Sequence, residues 1–150
     1  MRSSSLAALA MAFVAGFLAV PVFHQIAFLV LHLAGIVPVA PYDMRPTAPF
    51  GVPSVVSASF WGGVWGIVFA LTVARLRGPA YWITALVAGG VVLTLVYIYV
   101  VVPLKTGGAL PNPGQIFVLG FILNAAWGIG WAIFYRLFAR GAVARRTRAA

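Results

Sequence analysis

Four runs of this chain stay apolar for about 20 residues or more, the length a helix needs to cross a hydrocarbon core of roughly 30 Å. They cover 6–35, 54–74, 80–102 and 115–138. Backbone in hydrocarbon has no water to bond, so a spanning chain must satisfy its N–H and C=O groups internally, and runs of this length do so as helices. The prediction is an all-α, four-helix transmembrane bundle in a single integral membrane domain, with a basic tail at 139–150. Composition agrees: 63% of residues are hydrophobic and 7% charged, against about 25% charged in soluble domains.

Pro21 lies inside the first run and removes one helix hydrogen bond, so a bend is expected there. Arg2 ahead of an apolar stretch is also how a signal peptide begins. The run continues well past a plausible cut with no small-x-small site, so an uncleaved first helix is expected.

The net charge of +9 comes from ten basic residues against the single acid Asp43. In a soluble protein this would suggest nucleic acid; here the charges flank apolar runs and set topology instead. Arg2, Arg75, Arg77, Arg136, Arg140, Arg145, Arg146 and Arg148 fall on one side, and Arg45 and Lys105 on the other. Both termini are therefore expected in the cytoplasm. The arginine-, alanine- and glycine-rich composition is compatible with a GC-rich bacterial genome, and hence with the bacterial inner membrane. Tyr81, Trp82, Tyr97, Tyr99 and Tyr135 sit where aromatic belts anchor spans. The chain has no cysteine, which excludes disulfides, thiolate metal sites and cysteine nucleophiles.

A shift of 62 residues aligns Trp65-Gly66-Ile67 with Trp127-Gly128-Ile129, Pro41 with Pro103, Pro49 with Pro111 and Val30-Leu31 with Val92-Leu93. This predicts two tandem hairpins of the same orientation, a parallel repeat. In the same register, Ala58, Gly62, Gly66 and Ala70 recur along the second run, and Gly120, Asn124, Gly128 and Ala132 along the fourth. Small residues at this spacing let helix backbones approach closely in lipid. The expectation is that the second and fourth spans meet at the centre, or that the stripes join a homodimer or a partner membrane protein.

Polar groups inside spans are the default functional candidates. His24, Gln25 and Asn124 all lie roughly 14–17 Å deep at about 1.5 Å per residue, so the three are expected to be able to meet. The structural reading is an interhelical hydrogen bond; the functional one is a ligand, proton or ion site. His32 follows His24 by eight positions, an offset at which one helix cannot present both to one metal. His32 is expected at the outer surface, bonded to headgroups or to the outer loop. Trp61 with Trp65, and Trp127 with Trp131, form mid-membrane pairs that pack beside the glycines or hold a flat cofactor such as a quinone. In the proline-rich outer loop Asp43 and Arg45 are placed to pair. No motif for phosphate binding, zinc or a hydrolase nucleophile is present; no catalytic residue, cofactor or metal is assigned, and no nucleic acid is expected as partner.

The layout of Phe23-His24-Gln25, Pro49-Phe50-Gly51-Val52-Pro53, Phe60-Trp61-Gly62-Gly63-Val64-Trp65-Gly66 and Asn124-Ala125-Ala126-Trp127-Gly128 resembles small four-span bacterial inner-membrane proteins of no assigned activity. That resemblance implies a location and no reaction. Three functions stay open: a non-enzymatic accessory or scaffolding component, a small permease or channel built on His24, Gln25 and Asn124, and a quinone- or haem-binding redox module.

Overall fold

A computed structural model describes residues 6–48 and 50–148, with side chains described as far as residue 141. Arg2, Pro49 and the side chains of Arg145, Arg146 and Arg148 lie outside the described residues. Four helices are long and apolar enough to cross a membrane: α1 (Leu6–Leu33), α2 (Ser54–Arg75), α3 (Gly78–Thr106), and α4 (Pro113–Arg148), whose apolar part is Pro113–Gly141. The chain is a multi-pass, all-α helical bundle. The fourth helix does not stop near residue 138 but carries the basic tail onward to Arg148.

Two helices contain π turns, and α2 ends in a 3-10 turn at Val73–Arg75. Val20–His24 in α1, and Gly89–Leu93 and Tyr97–Val101 in α3, adopt the wider π-helical turn. Pro21 explains the first. It has no N–H to donate to the Phe17 carbonyl four residues back, and the turn widens around it. Just before that turn, the Gly16 carbonyl accepts the indole N–H of Trp127 at 2.9 Å. The expected proline bend is thus a local widening, stabilised from another helix.

Glycines set the packing. A Cβ on Gly66 would strike the Ala12 carbonyl oxygen, and one on Gly16 the Gly62 carbonyl. A Cβ on Gly128 would strike the Ala85 carbonyl, and one on Gly89 would lie 2.8 Å from the Asn124 carbonyl. Within each hairpin the helices therefore touch backbone to backbone. This corrects the expected meeting of the two stripes: Gly62 and Gly66 face α1, whereas Gly120 and Gly128 face α3, with Thr94 Cγ2 lying 2.7 Å from a Cβ placed on Gly120. The contact faces also differ from the stripe. Ala58 is exposed, and α2 buries Ser59, Gly62, Gly63, Gly66 and Phe69. Ala70 packs at the edge of the core and Ala132 lies within it.

The hairpins join through α1 and α4. Gly16 meets Trp127, and seven residues later Phe23 meets Phe134, ring centroids 5.6 Å apart. Both steps advance in the same chain direction, which antiparallel neighbours do not do, so α1 and α4 cross steeply. Helices α2 and α3 accordingly leave their short connection without packing along each other. Side chains bridge α2 to α4: Phe69 sets its ring edge-to-face with Trp127 at 5.1 Å and Trp131 at 5.2 Å.

The glycine contacts predict the cost of adding one methyl. Gly66→Ala and Gly128→Ala should each destabilise the protein by about 1–3 kcal/mol, as overpacking does, whereas Gly108→Ala, in open space, should stay within about 0.5 kcal/mol. Thermal unfolding in detergent measures all three.

Candidate functional site

The polar residues of the spans separate into distinct sites. Gln25 follows directly on the π turn of α1 and is buried. Its Oε1 accepts the backbone N–H of Tyr42 at 2.8 Å, and the Tyr42 hydroxyl donates to the Pro21 carbonyl at 2.8 Å. Tyr42 adopts φ 57 to make both bonds, a left-handed conformation that costs a non-glycine residue about 1–2 kcal/mol. One loop residue thus latches onto both sides of the α1 distortion.

The rest of the loop is folded around this latch. Pro46–Thr47 (β1) and Val52–Pro53 (β2) pair as a short antiparallel ladder, and the Thr47 hydroxyl donates to the Val52 carbonyl. The carbonyls of Asp43 and Arg45 accept the first N–H groups of α2, from Val55 and Ser54. Asp43 and Arg45 pair as expected, two guanidinium nitrogens bonding both carboxylate oxygens at 2.9–3.0 Å. These bonds hold the Asp43 carboxyl below the usual carboxylate range and raise Arg45 above its own. His32 Nδ1 donates to the Val37 carbonyl at 2.9 Å, so it closes the end of α1 against the loop.

Asn124 bonds elsewhere. Its Nδ2 donates to Thr94 Oγ1 at 2.9 Å across α3 and α4. Thr94 is fully buried and follows the π turn Gly89–Leu93, as Gln25 follows that of α1. The expected trio is therefore divided: Gln25 serves the outer loop, Asn124 serves α3, and no hydrogen bond joins either to His24. Equal depth did not bring them together because the helices cross steeply and α3 reaches Asn124 first, through Thr94. Among the described residues, two buried side-chain nitrogens have no partner, His24 Nδ1 and Trp131 Nε1.

The tryptophan pairs are equally unlike. Trp61 is 57% exposed, while Trp127 and Trp131 are the largest fully buried side chains; Trp65 packs at the core's edge. Phe69 sets its edge against Trp127 and Trp131, and Tyr135 stacks on Trp131 at 5.2 Å with planes 10° apart. Trp127 and Trp131 are thus engaged with neighbouring rings of the chain.

One cluster is not evident as a unit from the sequence. At the opposite end of the bundle from the loop, the Tyr81 hydroxyl donates to the Ala132 carbonyl at 2.9 Å. The Arg136 guanidinium carbon lies 4.1 Å from the centroid of Tyr81 and 5.1 Å from that of Trp82. The sequence offers the two aromatics as interfacial anchors and Arg136 as a topology charge; only the pairing of α3 with α4 makes them one structure. Thr94 is likewise hidden, because a threonine in a long apolar run carries no sign of its partner.

Comparison with family models, with curated proteins and with solved structures finds no match for this chain. The site is therefore read from its geometry.

The latch makes a specific prediction. Tyr42→Phe removes one bond and should cost about 0.6 kcal/mol, whereas Gln25→Leu leaves the Tyr42 N–H unpaired and should cost about 1–3 kcal/mol. Limited proteolysis of residues 37–53 should accelerate in the same order.

Proposed function

We propose that the protein is a non-enzymatic accessory or scaffolding component of a membrane, acting through its packed surface on a partner membrane protein. The observation that carries this reading is where its polar groups go. Gln25, Asn124, Trp127 and Tyr81 each spend their hydrogen bonds inside the chain. A carrier or channel must keep such groups for its cargo, and here they fix helix against helix or, for Gln25, helix against loop.

The setting we infer is the bacterial inner membrane, with both termini cytoplasmic, as the eight-to-two division of basic residues indicates. Kinship with small four-span inner-membrane proteins of no assigned activity belongs to the same proposal. So does descent from two tandem hairpins. The shared backbone contact supports it with a changed register: α2 and α4 correspond at an offset of 62 residues (Gly66 to Gly128), but α1 and α3 at 73 (Ala12 to Ala85, Gly16 to Gly89). The Pro41 and Pro103 match does not belong to it, since Pro103 lies within α3.

The glycines Gly62 and Gly66 already contact α1, which favours a partner membrane protein bound elsewhere over a homodimer through them. A second reading, a small permease, rests on His24, whose buried Nδ1 has no partner beside a π turn; such turns are frequent at functional sites.

Affinity purification from native membranes in mild detergent separates the two. The scaffold reading expects one membrane protein recovered in stoichiometric amount, retained by His24→Phe and lost with Trp61→Arg, whose side chain is 57% exposed. Absence of any such partner, together with proton flux in proteoliposomes that His24→Phe abolishes, would transfer the assignment to a permease.

A further inference from the structure

The Arg136 guanidinium sits against two rings that are themselves nearly perpendicular, Tyr81 and Trp82, at 80° with centroids 5.3 Å apart. Tyr81 is in turn fixed by its bond to the Ala132 carbonyl and is 2% exposed. The cation is thus held on a rigid two-ring corner built by α3 and α4. Attraction through the ring faces uses charge, and with one donor directed to the Tyr81 hydroxyl most of the five N–H donors of the guanidinium are left.

Among the described residues those donors meet no carboxylate. Asp43 is the chain's single acidic side chain, and that carboxylate is bonded to Arg45 in the outer loop. Arg75 and Arg77, in and beside the α2–α3 connection, and Arg140, one turn beyond Arg136, are exposed at the same end. Four arginines therefore lie at one end of a membrane bundle with no acidic side chain beside them among the described residues.

We propose that Arg136 is the centre of a binding site for the phosphate of an anionic phospholipid headgroup. The Tyr81–Trp82 corner positions it, and Arg75, Arg77 and Arg140 supply the surrounding field. A lipid fits better than a soluble anion for three reasons. Tyr81 and Trp82 stand at the start of a membrane span, where interfacial aromatics reach headgroup depth. The planar guanidinium fork matches a phosphate in bidentate fashion. The surrounding helix faces are apolar, as an acyl chain requires. The basic residues so gain a task beyond orienting the chain: one of them recognises a headgroup, while the rest attract it.

Native mass spectrometry of the full-length protein in detergent, titrated with phosphatidylglycerol or phosphatidylcholine, tests this. The expected result is one retained phosphatidylglycerol, held at least fivefold more strongly than phosphatidylcholine and not displaced by millimolar inorganic phosphate. Arg136→Gln should lower that retention at least fivefold and Arg140→Gln less than twofold. Arg136→Lys keeps the charge and spares the fold, and should still lower it about threefold by losing the planar fork. Equal losses in Arg136→Gln and Arg140→Gln would mean a diffuse field and overturn the site. So would displacement by inorganic phosphate, equal retention of phosphatidylcholine, or wild-type retention in Arg136→Lys.

Discussion

The Trp127 indole N–H on the Gly16 carbonyl, 2.9 Å long and buried, is the interaction on which the rest of the bundle converges. In hydrocarbon no water is available to accept the indole hydrogen or to satisfy the carbonyl, so each group must find a protein partner. The π turn Val20–His24 accommodates Pro21 just beyond that carbonyl, and Gly16 has no side chain to cover the oxygen. The same glycine is where α2 comes closest, through Gly62 and Gly66. Backbone distortion, intra-hairpin packing and the joining of the hairpins thus meet within one short stretch of α1.

Around that point the two hairpins solve one problem twice. Lipid gives helices no hydrophobic reason to associate, so they rely on close van der Waals contact and buried hydrogen bonds. Ala12 and Gly16 against Gly62 and Gly66, and Ala85 and Gly89 against Gly128, supply the first. Tyr42 on Gln25 and Asn124 on Thr94 supply the second. Each of those polar pairs adjoins a π turn. The aromatic core of Phe69, Trp127, Trp131 and Tyr81 fills the space that the steep crossing leaves open.

The four helices were legible because an apolar run of spanning length has few alternatives, and the glycines were legible as contact residues because nothing else tolerates such approach. Their partners were not. Gly66 is flanked by the same Trp and Ile as Gly128, yet that resemblance carries no information about which helix each will meet. The trio of His24, Gln25 and Asn124 failed for a related reason. Depth counted along straight helices ignores azimuth, and each π turn inserts a residue that rotates the remainder of its helix by about 100°. Pro21 announced one such turn; the two in α3 are announced by no comparable break, since Gly89 and Gly90 read equally well as packing residues. The left-handed Tyr42 was also invisible, because its conformation is imposed by two partners distant in sequence, Pro21 and Gln25.

The chain is thus a self-contained unit whose internal contacts use up its packing glycines and most of its intramembrane polarity, leaving its arginine-rich end and its apolar faces for interactions outside. All of this depends on α1 crossing α4 within a single chain. A Cβ added at Gly130 would lie 2.9 Å from the Cβ of Phe23, and the protein has no native cysteine. Oxidation of the Phe23→Cys/Gly130→Cys variant, followed by electrophoresis, should give an intramolecular disulfide in a monomer. A free thiol pair, or a disulfide-linked dimer, would contradict the crossing.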